Sequence, residues 1–459
     1  MKRALIITYY WPPSGGSGVQ RWLKFAKYLP QYGWEPVIYT PLNPEANTVD
    51  EALLKDIVPG TEVIKTKIWE PYSFYKALFG GRKNTSDGGK HIKANIIGSE
   101  NKSFTHKLSL LIRGNFFIPD PRCWWIRPSI KYLVKYLKEH PVDAIISTGP
   151  PHSMHLIAKG VAKATGIRWI ADFRDPWTEI FYFKHLNLSS WAYRKHRRLE
   201  QSVLDSADVV TVVSKKMQAD FAARTKTPVE VITNGFDHED FLCQAVETRK
   251  QTKPYAAERC FSLVHTGIFV DNGNPEYLWE ALGEKAKEDP QFKGDLQITL
   301  MGQVDDSILQ GIANAGLEGN LQNMGYRPHT EVVQWQQQAK VLLLPLRKEP
   351  EAAAILTGKF FEYLASGRDI LAFGPVEGDL AKALQETGSG TIVDFQDKEA
   401  TRREIDRLYG KFLEEGEAGN HREEKTLSPA VMKYSRKHLT GEMVKLFERN
   451  EKYRVEKDS

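Results

Sequence analysis

Cysteine is nearly missing from this chain: Cys123, Cys243 and Cys260 are the only three among 459 residues. An odd count without metal-ligand spacing argues against a disulfide framework and against a zinc site, and leaves plain thiols. Long apolar runs are lacking too. No stretch approaches the ~18 apolar residues of a membrane-spanning helix. Met1 to Thr8 runs straight into Trp11, Pro12 and Pro13, without the apolar segment and small-residue cleavage site of a secretory signal. The expectation is a cytoplasmic protein. Nor is there a large excess of one charge: 63 Lys and Arg against 58 Asp and Glu leave +5, so no nucleic-acid partner is expected. Internal repeats and extended low-complexity tracts are also absent.

What is present is enough chain for two cores. A single hydrophobic core stops growing well below this length, so two domains are the default. Short β-branched runs alternate with longer amphipathic stretches: Arg3–Thr8, Val37–Tyr39, Val63–Lys65, Ala144–Ser147, Trp169–Ala171 and Val209–Val213 read as strands. Val19, Leu23, Ala26 and Leu29 build one face of a helix that ends near Tyr32-Gly33. The rhythm is that of βαβ units and a parallel sheet. Asn84 to Gly89 is a polar, turn-rich loop. Cys243 to Arg259 is polar and strand-free and reads as a linker. The rhythm restarts at Ser262–Thr266, Leu296–Met301, Val341–Leu344, Ile370–Ala372 and Thr391–Val393. The expected division is a first Rossmann-like domain over 1–242, a linker over 243–259, a second such domain over 260–425, and a helical segment over 426–459 that returns to the first.

Three places carry residues suited to chemistry. The first strand runs into Pro12-Pro13-Ser14-Gly15-Gly16-Ser17-Gly18 and then a helix, where amides and the helix dipole face an anion. Arg21 stands where a dinucleotide fingerprint needs its third glycine, and no ribose-binding acid ends the next strand, so a nicotinamide cofactor is disfavoured. A tight turn without ligand fits the same loop. Next, Ser147 to His152 and Trp169 to Trp177 follow strands, and strand carboxyl ends line the crevice of open α/β sheets. Asp172, Arg174 and Asp175 suit sugar hydroxyls or phosphate charge, and equally a local salt bridge; His152 suits the same site or a helix cap. In the second half, Thr357-Gly358-Lys359 opens a helix and supplies amides plus a cation for a diphosphate. Glu362, at i+3 from Lys359, is placed to pair with it or to accept hydrogen bonds from a ribose. Separately, Lys102, Lys107, Arg113, Arg122, Arg127, Lys131 and Lys135 accompany Phe104, Phe116, Phe117, Trp124 and Trp125 against one acid, Asp120. That composition suits a lipid headgroup surface, and also scattered surface charge over buried aromatics.

Several segments, in order, resemble family-4 glycosyltransferases of the GT-B type. Tyr9-Tyr10-Trp11-Pro12-Pro13 with Gly15-Gly16 looks like their acceptor-side glycine loop. Ala207 to Ser214 with Ile232-Thr233-Asn234-Gly235-Phe236-Asp237 is similar to their domain-closing segment. Gly325-Tyr326-Arg327-Pro328 and Ala339-Lys340-Val341 resemble the region that reads the nucleotide base, and Lys359 to Gly367 resembles the donor-binding helix, whose glutamate contacts the ribose. The resemblance implies an α/β fold of two Rossmann-like parallel-sheet domains facing across a cleft. It implies a metal-independent hexosyltransferase that uses a nucleotide sugar, UDP- or GDP-linked, with retention, on a glycan or polyprenyl-linked acceptor, in bacterial surface-glycan synthesis at the inner leaflet. No cofactor is expected. The site residues it implies are Asp172, Arg174, Asp175 and His152 for catalysis. For the donor they are Gly15, Gly16, Gly267, Arg327, Thr357, Gly358, Lys359 and Glu362, with Arg347 as a further cation. The chain departs from the family in three ways. Ala354 stands eight before Glu362, where a first glutamate is usual and Glu349 or Glu351 is the nearest substitute. Ile268 to Pro275 lacks the arginine and lysine that follow Thr266-Gly267 in relatives. The Asp172–Arg174–Asp175 cluster replaces a strand-end histidine. Asp305-Asp306 is read as a helix start. A binding protein without turnover, or a sugar-nucleotide epimerase, fits the same fold.

Overall fold

The computed structural model describes residues 1–45, 49–69, 114–180, 183, 186, 188–240, 260–417 and 427–449. The chain forms two compact units. The first comprises Met1–Val213 and Met217–Ile232 with the chain from Gly441; the second comprises Ser214–Lys216 and Thr233–Thr440.

The first unit is built on a parallel sheet of seven strands in the order β3-β2-β1-β4-β5-β6-β7. These are β1 (Lys2–Ile7), β2 (Trp34–Pro41), β3 (Glu62–Thr66), β4 (Ala144–Gly149), β5 (Trp169–Phe173), β6 (Val209–Val212) and β7 (Val229–Val231). Chain order reverses at β1 and β4, the switch point at which doubly wound sheets open a crevice. The central strands are buried throughout, as helices on both faces require: all of β4 and β5 is shielded from solvent. Leu5, Ile7, Tyr39, Ile145, Trp169 and Phe173 share one core. The helix Ser17–Tyr28 follows β1 and buries Val19, Leu23 and Ala26, the face expected from their spacing. The end of the helix Arg436–Glu448 belongs to this unit as well: Phe447 packs edge-on to Trp34 at 4.9 Å and Glu448 pairs with Lys2 at 2.9 Å.

The second unit carries a parallel sheet in the order β10-β9-β8-β11-β12-β13, formed by β8 (Phe261–Thr266), β9 (Leu296–Met301), β10 (Leu321–Gly325), β11 (Val341–Pro345), β12 (Asp369–Phe373) and β13 (Gly390–Val393). Leu263, Ile298, Leu300 and Leu343 fill one face with Trp279 and Phe292, while Val264, Leu342 and Leu344 pack on Phe360, Tyr363 and Leu364 on the other. Asp305 caps the helix Asp306–Asn314, its Oδ1 accepting from the Ser307 amide at 3.1 Å, as the Asp-Asp pair suggested.

Every strand expected from the sequence forms. The two strands not expected are the shortest and the most polar: β7 spans three residues, and β10 reads Leu-Gln-Asn-Met-Gly. Both are edge strands, where a single covered side removes the apolar run that marks a central strand. The loop over 84–89, the linker over 243–259 and the basic residues Lys102, Lys107 and Arg113 lie outside the described residues. Among the described residues no helix is long and apolar enough to cross a membrane.

Candidate active site

In the first unit the strand-end residues are organised around a buried ion pair. Arg21 turns inward from the helix Ser17–Tyr28 and grips the Asp172 carboxylate with both arms, Nε to Oδ2 at 3.0 Å and Nη2 to Oδ1 at 2.7 Å. Trp22 Nε1, Thr148 Oγ1 and Thr211 Oγ1 donate to the same carboxylate at 2.8, 3.0 and 2.8 Å. Burial pushes the Asp172 carboxyl up, but the Arg21 charge and these donors outweigh it and hold it at about 2. Both partners are sealed from solvent, with exposures of 1% and 0%. A carboxylate offers about four acceptor positions, and here all are taken. The expectation that Asp172 touches a substrate is therefore corrected: it joins the ends of β4, β5 and β6 to the helix behind the glycine loop.

Arg174 is committed in a similar way. Its guanidinium donates to the carbonyls of Gly18 at 3.0 Å, Gly149 at 3.3 Å and Pro150. It thus clamps the glycine loop to the turn after β4, and Asp175 sits beside it close enough for their charges to interact. Gly15 and Gly16 belong to that clamped loop, with Gly16 at the N-cap of the helix and φ +92°. His152 occupies the N-cap position of the helix Ser153–Thr165 but makes no capping bond. Asp120 takes that role, accepting from the Ser153 amide and hydroxyl, both at 2.8 Å. His152 instead lies flat on Trp177, with ring centroids 4.5 Å apart and planes 1° apart. Its Nδ1 is buried without a hydrogen-bond partner among the described residues. Burial and the neighbouring His155, His196 and Arg174 keep it neutral, well below the ordinary histidine range.

Sequence reasoning passed over His155, three residues on. Trp169 Nε1 donates to Ser147 Oγ at 2.8 Å, and Ser147 lies 2.8 Å from His155 Nδ1. Ser147 Oγ thus joins the indole to the imidazole, whose other nitrogen is Nε2. A Cβ on Gly149 would stand 2.5 Å from that Nε2 and 3.0 Å from His152 Nδ1, so only glycine leaves room for both rings. The signal in the sequence was the helical spacing of His152 and His155 behind a glycine.

In the second unit the helix Gly358–Ser366 begins at the end of β11, capped by Thr357, whose hydroxyl accepts from the Phe360 amide at 3.3 Å. Lys359 leans toward the end of β8. Its ammonium donates to the Ile268 carbonyl at 2.9 Å and lies 3.3 Å from His265 Nε2. Burial lowers the amine to about 8; Glu362 raises it and Arg347 lowers it further. Gly267, at φ +97°, is where the lysine stem passes: a Cβ there would stand 2.7 Å from Lys359 Cε. Glu362 is met from the helix His329–Gln338, by Gln336 Nε2 at 3.3 Å and His329 Nε2 at 3.6 Å. Gln336 also donates to Thr266 Oγ1 at 3.0 Å, and Tyr363 accepts from the Thr266 amide at 3.0 Å. The structure thus gathers Gly267, Thr357, Gly358, Lys359 and Glu362 at one strand edge. Arg327 lies two residues before His329 and approaches Glu331 at 3.8 Å. Of the substitutes for a first glutamate, Glu349 accepts from Asn272 at 3.1 Å, and the Glu351 side chain lies outside the described residues.

Two doubly wound parallel units, one of them presenting a cation, amides and a carboxylate at a helix start, are the outline of a sugar-nucleotide transferase of the GT-B type. Residues 98–240 match the model of Glycosyltransferase Family 4 and residues 260–411 that of Glycosyl transferases group 1. The two matches together cover more than half of the chain, and the protein belongs to the group 1, family-4 glycosyltransferases. No curated protein matches it. Among solved structures it is similar to a glycosyltransferase from Rickettsia africae (14% identity, TM-score 0.57, 98% of both chains covered). A sucrose-phosphate synthase from Thermosynechococcus elongatus (14%, 0.56, 98% of this chain and 99% of the other) is similarly related. So is a trehalose-6-phosphate protein from E. coli bound with UDP-2-fluoro glucose (13%, 0.55, 98% and 99%). At such identities these likenesses establish the fold.

Replacing Asp172 by Ala strands the buried Arg21 charge and is expected to cost about 3–5 kcal/mol. Urea denaturation of the two proteins measures it, and a loss under about 1 kcal/mol would be inconsistent with the buried pair.

Proposed function

We propose that the protein transfers a sugar from a nucleoside-diphosphate sugar to a hydroxyl of a glycan or polyprenyl-linked acceptor, with retention and without a metal, in the synthesis of a bacterial surface glycan. The observation that carries this reading is Lys359: a half-buried amine at a helix start, beside a carboxylate that can meet a ribose. Negative charge grows on the departing diphosphate, so preorganised donors there do most for the rate. Lys359, the amides at Thr357-Gly358 and Arg347 are the groups that supply it. UDP is the first base to try, because the E. coli relative holds a UDP-sugar; GDP is the second. The sugar gains oxocarbenium character as the bond to phosphate breaks, and His152 and Asp175 are the catalytic side chains proposed in the first unit.

The acceptor reading extends to location. All the exposed tryptophans among the described residues, Trp69, Trp124 and Trp191, belong to the first unit. Trp69 stacks on Trp124 at 4.3 Å, and Lys195 lies over Trp191 at 4.8 Å while its charge acts on Cys123, next to Trp124. The helix Ser190–Leu204 adds exposed Tyr193, Arg194 and Arg198. Indoles interleaved with cations match a bilayer interface carrying anionic headgroups, so the protein is assigned to the cytoplasmic face of the inner membrane.

Thermal shift against a panel of UDP-, GDP- and other nucleotide sugars identifies the donor, because a specific binder stabilises the fold by mass action. With that donor, Lys359→Ala is expected to lower turnover by about 100- to 1,000-fold; turnover within threefold of the parent would defeat the assignment, and binding without any transfer would favour a binding protein. The lysine is charged below about pH 8 and neutral above it. Donor affinity is therefore steady below that pH and falls about tenfold per pH unit beyond it; calorimetric titration from pH 6.5 to 9.5 reads this, and a flat profile would contradict it. On phosphatidylglycerol vesicles the parent is expected to float and an Arg194→Glu/Arg198→Glu/Trp191→Ser variant to remain in solution. Equal flotation of the two would remove the membrane surface.

A further inference from the structure

Lys359 does not hold its position by itself. Its amine has three N–H donors and a flexible four-carbon stem, so something must aim it. The Ile268 carbonyl takes one N–H at 2.9 Å. The second faces His265 Nε2 at 3.3 Å. His265, the penultimate residue of β8, is 1% exposed, and its Nδ1 lies 2.9 Å from the Leu343 carbonyl on β11. A carbonyl only accepts, so the ring proton stands on Nδ1 and Nε2 presents a lone pair. The Phe269 ring supports the imidazole from beside it, with centroids 4.4 Å apart.

We propose that His265 is a positioning residue for donor binding: a neutral imidazole, locked in one tautomer by the Leu343 carbonyl, which together with the Ile268 carbonyl occupies two N–H groups of Lys359 and directs the third at a diphosphate oxygen. This rests on the reading that Lys359 meets the diphosphate. Gly267 is part of the device, since a side chain there would displace the lysine stem. The charged groups that act on the lysine are Glu362, one turn along its own helix, and Arg347, on the loop after β11; on β8 His265 is uncharged, because burial and the lysine itself hold it well below the ordinary range. An acceptor lone pair favours the charged lysine, so removing it makes the amine easier to deprotonate.

The test reads Lys359 directly, in the free protein and without any nucleotide. Competitive acetylation with an isotope-coded anhydride, followed by mass spectrometry of the Lys359 peptide between pH 6 and 10, gives the titration of that one amine. In the parent it is expected near about 8. In His265→Phe it moves to lower pH, so that at pH 7 the amine is severalfold more reactive. His265→Gln, whose side-chain carbonyl can accept, moves it back. UDP and GDP binding is measured alongside: His265→Phe weakens it about tenfold or more in the parent background, and adds nothing once Lys359→Ala is present. A titration identical in His265→Phe and parent overturns the proposal, as does a binding loss that persists undiminished with Lys359→Ala. Circular dichroism melts of each variant identify one that fails to fold, in which case the His265→Gln titration and binding decide alone. A shifted titration with no nucleotide binding by the parent would instead sink the donor reading and leave the role of His265 in place.

Discussion

An ammonium group kept half out of water, at a helix start and without a carboxylate bonded to it among the described residues, is the constraint on which the second unit turns. Such a group is costly to hold, and burial already lowers its basicity. The arrangement persists because neutral acceptors, the Ile268 carbonyl and the His265 lone pair, take two of its hydrogens. A bonded carboxylate would have cancelled the charge. Neutral acceptors orient the amine and leave its charge available to an anion, which is what a diphosphate needs. Glu362 is met by its own partners, Gln336 and His329, so these two residues of one helix are held by different neighbours.

The first unit uses charge in the opposite way. Asp172 and Arg21 neutralise each other completely beneath the surface, and three further donors finish the carboxylate. Arg174 is bound to backbone carbonyls. Both groups act on loops: the pair seats the helix that carries the glycine loop, and Arg174 fastens that loop to the turn after β4. A glycine-rich segment is entropically costly to order, so the fixed geometry of Gly15 and Gly16 requires such anchors. Close to Arg174 lies His152, whose Nδ1 is buried and has no hydrogen-bond partner among the described residues.

These outcomes mark how far the sequence could be read. Strand existence was legible because buried parallel strands are continuous apolar runs, and the runs at Ile145 and Leu342 have no other explanation. Edge strands such as β7 and β10 lack that run. The helix Gly358–Ser366 was legible from a local pattern, Thr357-Gly358-Lys359 followed by Glu362, since capping and helical spacing are properties of adjacent residues. The fate of Asp172 was not legible: its partner Arg21 lies 151 positions away, and the same four-residue cluster is consistent with a site or with an anchor until the sheet brings them together. His265 was hidden for the same reason, since an isolated histidine within a strand carries no mark of what it will face.

Glycines offered a partial way through. At Gly149 and Gly267 the missing side chain is where a neighbour's working atoms pass, the ring nitrogens of His152 and His155 at the first and the stem of Lys359 at the second. Gly149 ends one buried strand and Gly267 directly follows another, and both stand at the carboxyl edge of their sheet. A glycine in that position records a close approach by something else, without saying what. The structure supplies the identity of the neighbour: two buried histidines in the first unit and the lysine at the helix start in the second.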